Sequence, residues 1–303
     1  MTSVEQIADA ILYEGYILYP YRASALKNGQ RWNFGVLYPP AYAGAQRGSD
    51  ASMMQFQCLA RVNENLRVTV RFLHLLTREN WQEAVAREIQ MDAPGTHSFF
   101  FSEREDRDTD GIVRRHERIE GFIEAELQPV QDGWSRVTVR ISNRGDFEVP
   151  VVDPAAWPAR ETALRRSLVS THAILRAPGG EFASLIDPPE ELRKLSAECS
   201  NIGLWPVLAG DAALPDTMLA SPIILYDYPQ IAPESAGALF DGTEIDEILS
   251  LRILTLTDEE KRQMRETDPQ ARSLLERTEA LDAEQWMQLH GVMRDPRGSG
   301  SGQ

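Results

Sequence analysis

The chain has few of the residues and motifs from which a function is usually identified. It contains only two cysteines, Cys58 and Cys199. This excludes a disulfide framework and any zinc or iron–sulfur site built from paired cysteines of this chain alone, and a reducing cytoplasm is expected. No Gly-x-Gly-x-x-Gly, phosphate-loop lysine, Gly-x-Ser-x-Gly or His-Glu-x-x-His motif occurs. The common signatures of nucleotide-binding proteins, hydrolases and metalloproteases are therefore absent.

Long apolar runs and an export signal are missing as well. No run approaches the roughly 20 apolar residues that a membrane-spanning helix needs, so a soluble protein is predicted. The first residues carry acids where a secretory signal has lysine or arginine. The formal net charge of −15 argues against nonspecific binding to nucleic acid or to anionic lipid. A basic protein partner is compatible with this charge.

The first half of the chain shows the period-two alternation of β-strands. Residues 55–76 are predicted to form a hairpin with its turn at residues 63–65. Residues 119–143 are predicted to form a second hairpin with its turn at Asp132-Gly133. The charged residues 102–118 between them are predicted to be a loop. This pattern favours a β-sandwich-like module.

The second half is mixed and ends in helices. Residues 164–186 are expected to pass from a helix into a strand, and residues 218–226 are predicted to be a buried strand. Capping boxes predict helix starts at Ser3 (with Gln6), Asp241 (with Glu244) and Thr257 (with Glu260), and Asp268-Pro269 predicts another helix start.

The predicted fold class is α+β, with a β-sandwich-like N-terminal module followed by a mixed α/β and helical C-terminal module. The proline-rich residues 153–160 are the predicted boundary. The modules then span residues 1–152 and 153–296. Residues 297–303, RGSGSGQ, are predicted to be a flexible tail.

The densest group of potentially reactive side chains lies after the predicted strand. Glu244 and Glu247 share one face of a helix at i, i+3, so this helix alone presents at most two carboxylates. Asp227, Glu234 and Asp241 would have to fold together with them, because Ca²⁺ and Mg²⁺ need several oxygen ligands. The alternative is that these acids cap a helix or face a partner, which needs no ion.

One histidine and a basic aromatic segment are further candidates. His172 lies in the apolar stretch SLVSTHAILR, where it can act as a base or ligand, or can be a core residue with both ring nitrogens hydrogen-bonded. Arg22, Lys27 and Arg31 lie among aromatic residues. They are expected to make a protein contact or an intramolecular salt link to the acidic C-terminal part.

Four phrases cover much of the chain: LYEGYILYPYRASALKNGQRWNFGVLYPPAY, SLVSTHAILRAPGGEFASLIDPP, NIGLWPVLAG and SPIILYDYPQIAPESAGALFDGTEIDEILSLRILTLTDEEK. They resemble a family of uncharacterised bacterial proteins whose members accompany nickel–iron hydrogenase genes and their maturation factors. The likeness extends from about residue 7 to residue 277. It implies an association with hydrogenase biogenesis and supplies no catalytic residues.

Two functions remain open from the sequence. The first is a cytoplasmic, non-catalytic accessory or scaffold protein without a cofactor. It would bind a hydrogenase subunit or maturation factor, but neither nucleic acid nor membrane, and its predicted partner-binding residues are Glu244, Glu247, Arg22 and Arg31. The second is a metal-dependent enzyme that uses the carboxylates of residues 227–247 on a small molecule. Its predicted ligands are Asp227, Glu234, Asp241 and Glu244, with His172 as a base.

Overall fold

The computed structural model describes residues 3–22, 25, 28, 31–46, 48, 50–63, 65–78, 81–107, 111–149, 157–231 and 246–281, without the side chains of 157, 158 and 246–248. The chain forms two compact units. Unit 1 comprises Met1–Tyr16 and Gln30–Gln230, and unit 2 comprises Ile17–Gly29 and Ile231–Gln303.

Unit 1 contains a five-stranded antiparallel sheet in the order β10-β1-β8-β7-β4. The alternation predicted for residues 119–143 produces β7 and β8, which pair directly. Asp132 (φ 48°) and Gly133 (φ 79°) form the turn between them, in the left-handed region that a two-residue hairpin turn requires. The strands are β1 (Met53–Arg61), β4 (Gly95–Phe101), β7 (Ile119–Gln131), β8 (Trp134–Asn143) and β10 (Glu181–Phe182).

A seven-stranded sheet, also antiparallel, is the second sheet of unit 1. Its main order is β11-β12-β9-β2-β6-β5, and β3 pairs with β2 over the full length of both strands. A strand has only two edges, so β6 and β9 share the other edge of β2. The strands are β2 (Leu66–Arg78), β3 (Trp81–Ala93), β5 (Arg104–Arg107), β6 (Val113–His116), β9 (Val169–Arg176), β11 (Trp205–Leu208) and β12 (Thr217–Ser221).

A single cluster of buried apolar side chains takes members from both sheets. Phe56 and Val139 belong to the five-stranded sheet, and Val70, Phe72 and Leu175 belong to the seven-stranded sheet. Burial of this apolar surface is the main stabilising term for unit 1. The structure is therefore α+β with mostly antiparallel sheets in the N-terminal region.

In the described part of unit 1, four helices accompany the sheets. α1 (Val4–Leu12) begins at the predicted capping box of Ser3 and Gln6, and it packs against β2, β9 and β12. The other three are short: α2 (Pro40–Ala45), α3 (Trp157–Leu164) and α4 (Arg193–Ala197), which continues a 3-10 turn. The predicted passage from helix to strand within residues 164–186 differs from the structure, because α3 already ends at Leu164 and residues 169–176 form the strand β9.

The described residues of unit 2 form three helices: α5 (Asp246–Leu254), α6 (Asp258–Thr267) and α7 (Pro269–Glu279). The predicted capping box of Thr257 and Glu260 starts α6. Asp268 is the N-cap of α7, and Pro269 is the first residue of this helix, where proline is well tolerated. The predicted box at Asp241 and Glu244 lies outside the described residues. No helix in the described part of the chain is long and apolar enough to cross a membrane.

Three further local predictions differ from the structure. β1 and β2 do not form the hairpin predicted for residues 55–76, because β1 pairs with β8 and β10 while β2 pairs with β3, β6 and β9. Residues 102–118 are not all loop, since β5 and β6 form a short charged hairpin. The strand predicted at 218–226 ends at Ser221.

The two compact units also differ from the predicted modules 1–152 and 153–296. β9 pairs with β2 and β10 pairs with β1, so both sheets contain strands from either side of residue 153. Backbone hydrogen bonds between these strands therefore join residues from both sides of the proline-rich stretch, so this stretch is not a boundary between the sheets. The predicted tail, residues 297–303, lies outside the described residues.

Candidate functional site

Unit 1 has an open cleft of about 520 Å³ beside Trp205, here named the Trp205 cleft. This volume lies in the range of ordinary binding pockets. The cleft is lined by residues 33–36 and Tyr38, by the chain around the start of β1, and by Arg160, Ile202, Gly203, Trp205 and Pro222.

Backbone pairing holds these separate segments together. Leu37 and Leu168 exchange backbone hydrogen bonds of 2.8 and 3.1 Å, and the N–H of Tyr38 donates to the carbonyl of Ala51 at 2.8 Å. Gln55 and Ile202 exchange two more, of 3.0 and 2.8 Å. The walls are therefore fixed by the fold before any ligand binds.

Two glycines are required in the cleft walls. Gly35 has φ +54°, and a Cβ there would lie 2.8 Å from Cγ of Pro222. Gly203 has φ +75°, and a Cβ there would lie 2.9 Å from Cγ of Met54. Any other residue would combine an unfavourable backbone conformation with a steric clash.

Arg160 provides the main polar contacts of the cleft. Its Nη2 donates to the carbonyl of Trp32 and to Oδ1 of Asn33, both at 2.9 Å. Burial raises the pKa of Tyr38 to about 12, and the Asp50 carboxylate acts in the same direction, while Arg160 opposes them. The Tyr38 phenol is therefore neutral at physiological pH and can both donate and accept hydrogen bonds.

The rim of the cleft is apolar and accessible to solvent. Four large side chains around it are between about a third and a half exposed: Phe34 (36%), Met53 (38%), Ile202 (51%) and Trp205 (37%). Isolated apolar side chains are common on protein surfaces, but several around one cleft mark a binding surface. This arrangement can take up apolar side chains of a ligand and orient them through Arg160 and Asp50.

The predicted metal ligands are only partly described. Oδ1 of Asp227 accepts a hydrogen bond from the N–H of Leu208 at 2.8 Å, and Oδ2 accepts one from the Ser184 hydroxyl at 2.5 Å. Asp227 thus links the chain after Pro222 to β11 and to the turn around Ser184. Glu234 and Asp241 lie outside the described residues, so the predicted metal site stays a prediction.

The predicted acidic partner-binding residues, Glu244 and Glu247, are also not fully described. Glu244 lies outside the described residues. Glu247 belongs to α5, but its side chain is not described. Within the described residues, no three His, Cys, Asp or Glu side chains are grouped so that they could hold a metal ion.

The two predicted basic residues have different environments. Arg22 forms an ion pair with Glu260 at 3.0 Å within unit 2, which is the intramolecular salt link to the acidic C-terminal part. Arg31 is only 3% exposed and donates to the carbonyls of Tyr16 (2.7 Å) and Gln82 (2.8 Å). We therefore correct its assignment as a partner-binding residue, because burial keeps its guanidinium away from a partner.

His172 is enclosed in the core of unit 1. Its Nδ1 lies 2.9 Å from the carbonyl of Ser170, whereas Nε2 has no hydrogen-bond partner among the described residues. Burial lowers its pKa to about 4. The core interpretation predicted hydrogen bonds at both nitrogens, and only one is present.

Sequence reasoning did not find the Trp205 cleft. Its rim residues lie in three distant segments, and Ile202 and Trp205 were not singled out. The available signal was the pair of glycines, Gly35 and Gly203, each next to an aromatic or apolar residue that is exposed in the structure. The pattern of one segment does not show which other segment it will meet.

Comparison with known proteins gives no independent identification. No protein-family model matches the chain, and no curated protein matches it.

Proposed function

We propose that this protein is a non-catalytic accessory or scaffold protein of nickel–iron hydrogenase assembly or maturation, and that it binds its protein partner through the Trp205 cleft. The observation that carries the proposal is the group of exposed apolar side chains on the cleft rim. Because the cleft is already ordered, binding a partner side chain against this rim does not cost free energy for ordering the cleft itself.

The composition of the cleft supports a protein as the ligand. Trp, Phe, Met and Arg are enriched where proteins bind one another, and Trp and Arg often carry much of the binding energy. Phe34, Met53, Arg160 and Trp205 provide all four residue types around one cavity. A central apolar contact with a few polar groups beside it is the usual anatomy of such an interface.

The class of partner is inferred from the resemblance of four sequence phrases to a family that accompanies nickel–iron hydrogenase genes. Three of its four phrases supply cleft residues: Phe34 from the first, Ile202 and Trp205 from NIGLWPVLAG, and Pro222 from the last. The phrases that carry the resemblance therefore meet at the surface to which we assign binding. This supports a partner from hydrogenase biogenesis, either a subunit or a maturation factor.

Three further parts of the proposal rest on other observations. We infer that the two sheets stack as a β-sandwich, because one apolar cluster takes side chains from both. We also infer a cytoplasmic protein, because the chain contains only two cysteines. We further infer that it binds no nucleic acid, because the net charge of −15 repels phosphate backbones.

The first prediction tests the cleft with purified components. The tagged full chain is used to capture purified hydrogenase subunits and maturation factors, and Trp205→Ser and Ile202→Ser are compared with wild type. Each variant is expected to weaken capture at least about tenfold, since both remove apolar area from the rim. The matched control is Leu214→Ser, because Leu214 is 62% exposed and lies outside the cleft.

Equal capture by wild type and both cleft variants would reject the cleft as the binding surface. If no hydrogenase component is captured, and deletion of the gene leaves hydrogenase activity unchanged, the proposed function is wrong.

A further inference from the structure

The outer strand β4 leaves one edge of the five-stranded sheet open. Among the described residues β4 pairs only with β7, in the register Ser98↔Phe122 and Phe100↔Glu120. On its other side β4 presents a row of backbone N–H and C=O groups. Such a row can pair with another extended chain.

Natural sheet edges usually carry features that block such pairing, and β3 illustrates them. β3 is an edge of the seven-stranded sheet. Its Glu83 is buried in ion pairs with Arg78 (2.9 Å) and Arg114 (2.6 Å). Its Arg87 is paired across the strands with core residue Phe72 and stacks 4.4 Å from the ring centroid of Phe101. Inward-pointing charges of this kind disfavour the docking of a second strand.

β4 has none of these features. Its sequence GTHSFFF contains no lysine, arginine, carboxylate or proline. It is held firmly on its inner face, where the Phe99 ring packs directly on Gly121: a Cβ at Gly121 would lie 2.1 Å from Cζ of Phe99. β4 is therefore an ordered strand with an unprotected edge.

The outer face beside this edge forms a cavity of about 310 Å³. Phe99 points inward, so the alternation of a strand places Ser98 and Phe100 on the outer face. Phe100 is 68% exposed. The Arg144 guanidinium stacks on Phe122 at 4.2 Å from the ring centroid. Because the Ser98 side chain is small, it does not fill the space between the Arg144–Phe122 pair and the free edge of β4.

The cavity carries a local excess of positive charge on an acidic chain. Arg118 is paired with Glu120, whereas Arg144 has no carboxylate partner among the described residues. A ligand group that completes this site is an acid. A guanidinium stacked on an aromatic ring remains able to bind a carboxylate through its N–H groups.

We propose that the free edge of β4 binds an extended peptide segment of another protein, which adds a strand to the five-stranded sheet. An apolar side chain of the peptide packs beside Phe100. Two residues away, on the same face, an acidic side chain lies opposite Ser98 and reaches Arg144. Backbone pairing supplies the affinity and the two side chains supply the specificity, as in other cases of strand addition. This surface shares no residue with the Trp205 cleft.

A displayed library of random peptides about ten residues long tests the proposal with the full-length protein as bait. The Phe100→Ser/Arg144→Gln double variant serves for counter-selection. Both side chains are exposed, so this variant is expected to keep the wild-type melting temperature. Enriched peptides are expected to carry an apolar residue and an acid two positions apart, among β-branched residues. Failure to enrich any peptide over the counter-selection overturns the proposal.

The best peptide is then synthesised and titrated against single variants. Phe100→Ser and Arg144→Gln are each expected to weaken binding at least about tenfold. Replacing the peptide acid by its amide should have no further effect in the Arg144→Gln background. The control Phe34→Ser, which removes an exposed phenylalanine of the Trp205 cleft, should bind normally.

Backbone pairing itself needs a separate readout. Hydrogen exchange of residues 95–101 should slow when the peptide binds. N-methylation of every second peptide amide, in the set that faces β4, should abolish binding. A methylated peptide that binds equally well would contradict strand addition. Dimerisation that Phe100→Ser abolishes would identify a second copy of this chain as the occupant and would also overturn the proposal.

Discussion

His172 has one satisfied and one unsatisfied ring nitrogen inside the core of unit 1. Its Nδ1 lies 2.9 Å from the Ser170 carbonyl, so the neutral ring carries its proton there. Protonation of Nε2 would place a buried charge without a partner. The pKa of about 4 expresses this cost.

This environment predicts a pH dependence of stability. The folded-state pKa of His172 is lowered from 6.5 to about 4, so the unfolded state binds more protons between these values. Stability should therefore fall as the pH is lowered from 7 to 4, by about 3 kcal/mol from this residue. The measurement is the free energy of urea unfolding of wild type and His172→Gln at several pH values.

His172→Gln removes the titrating group, so its stability should depend less on pH over this range even if the variant is less stable at pH 7. Parallel pH profiles for the two proteins would contradict this prediction, because they would show that His172 takes up a proton as readily in the folded protein as in the unfolded chain. His74→Gln is a useful comparison, because burial, Arg87 and His116 lower the pKa of His74 to about 3.

At the scale of elements, Asp227 connects three parts of unit 1. Its carboxylate accepts hydrogen bonds from Leu208 in β11 and from Ser184, and the next residue, Tyr228, donates its N–H to the carbonyl of Leu208 at 2.7 Å. Tyr228 has φ +53°, an unfavourable conformation for its type that these contacts hold in place.

Asp227→Ala is therefore expected to lower the free energy of unfolding by about 2 kcal/mol, because it leaves a backbone N–H without its acceptor. Asp227→Asn, which keeps one carbonyl oxygen, should cost about half as much. Thermal and chemical unfolding with and without chelator measure both effects. If chelator destabilises wild type but not Asp227→Asn, the carboxylate binds an ion and the predicted metal site gains support.

Local patterns predicted the elements better than they predicted their partners. The β7–β8 hairpin and the helix starts at Ser3, Thr257 and Asp268 follow from turn and capping residues close in sequence. β1 and β2 have equally clear alternation but belong to different sheets. Period-two alternation fixes which face of a strand is buried, and it does not identify the neighbouring strand.

The candidate site was less predictable than the fold for the same reason. The sequence drew attention to carboxylates, histidine and arginine, of which Arg31 and His172 are buried and Asp227 is engaged in hydrogen bonds. The cleft instead depends on the exposure of Ile202 and Trp205. Their exposure results from tertiary packing, and composition alone would place both side chains in the core.

At the scale of the whole molecule, an acidic net charge occurs together with a fixed cleft and an open sheet edge. The net charge of −15 favours solubility and disfavours nonspecific contact with nucleic acid. In the function that we propose, specific binding depends on the apolar rim of the Trp205 cleft. The central claim is that a hydrogenase subunit or maturation factor lies against this rim.

Site-specific photo-crosslinking tests this claim most directly. Benzoylphenylalanine replaces Phe34 on the cleft rim, or Leu214 as a matched exposed control, in cells that express the hydrogenase. We predict that irradiation links position 34 to a hydrogenase subunit or maturation factor, and that position 214 gives no such product. Absence of a product at position 34, or the same products at both positions, would contradict the proposed binding surface.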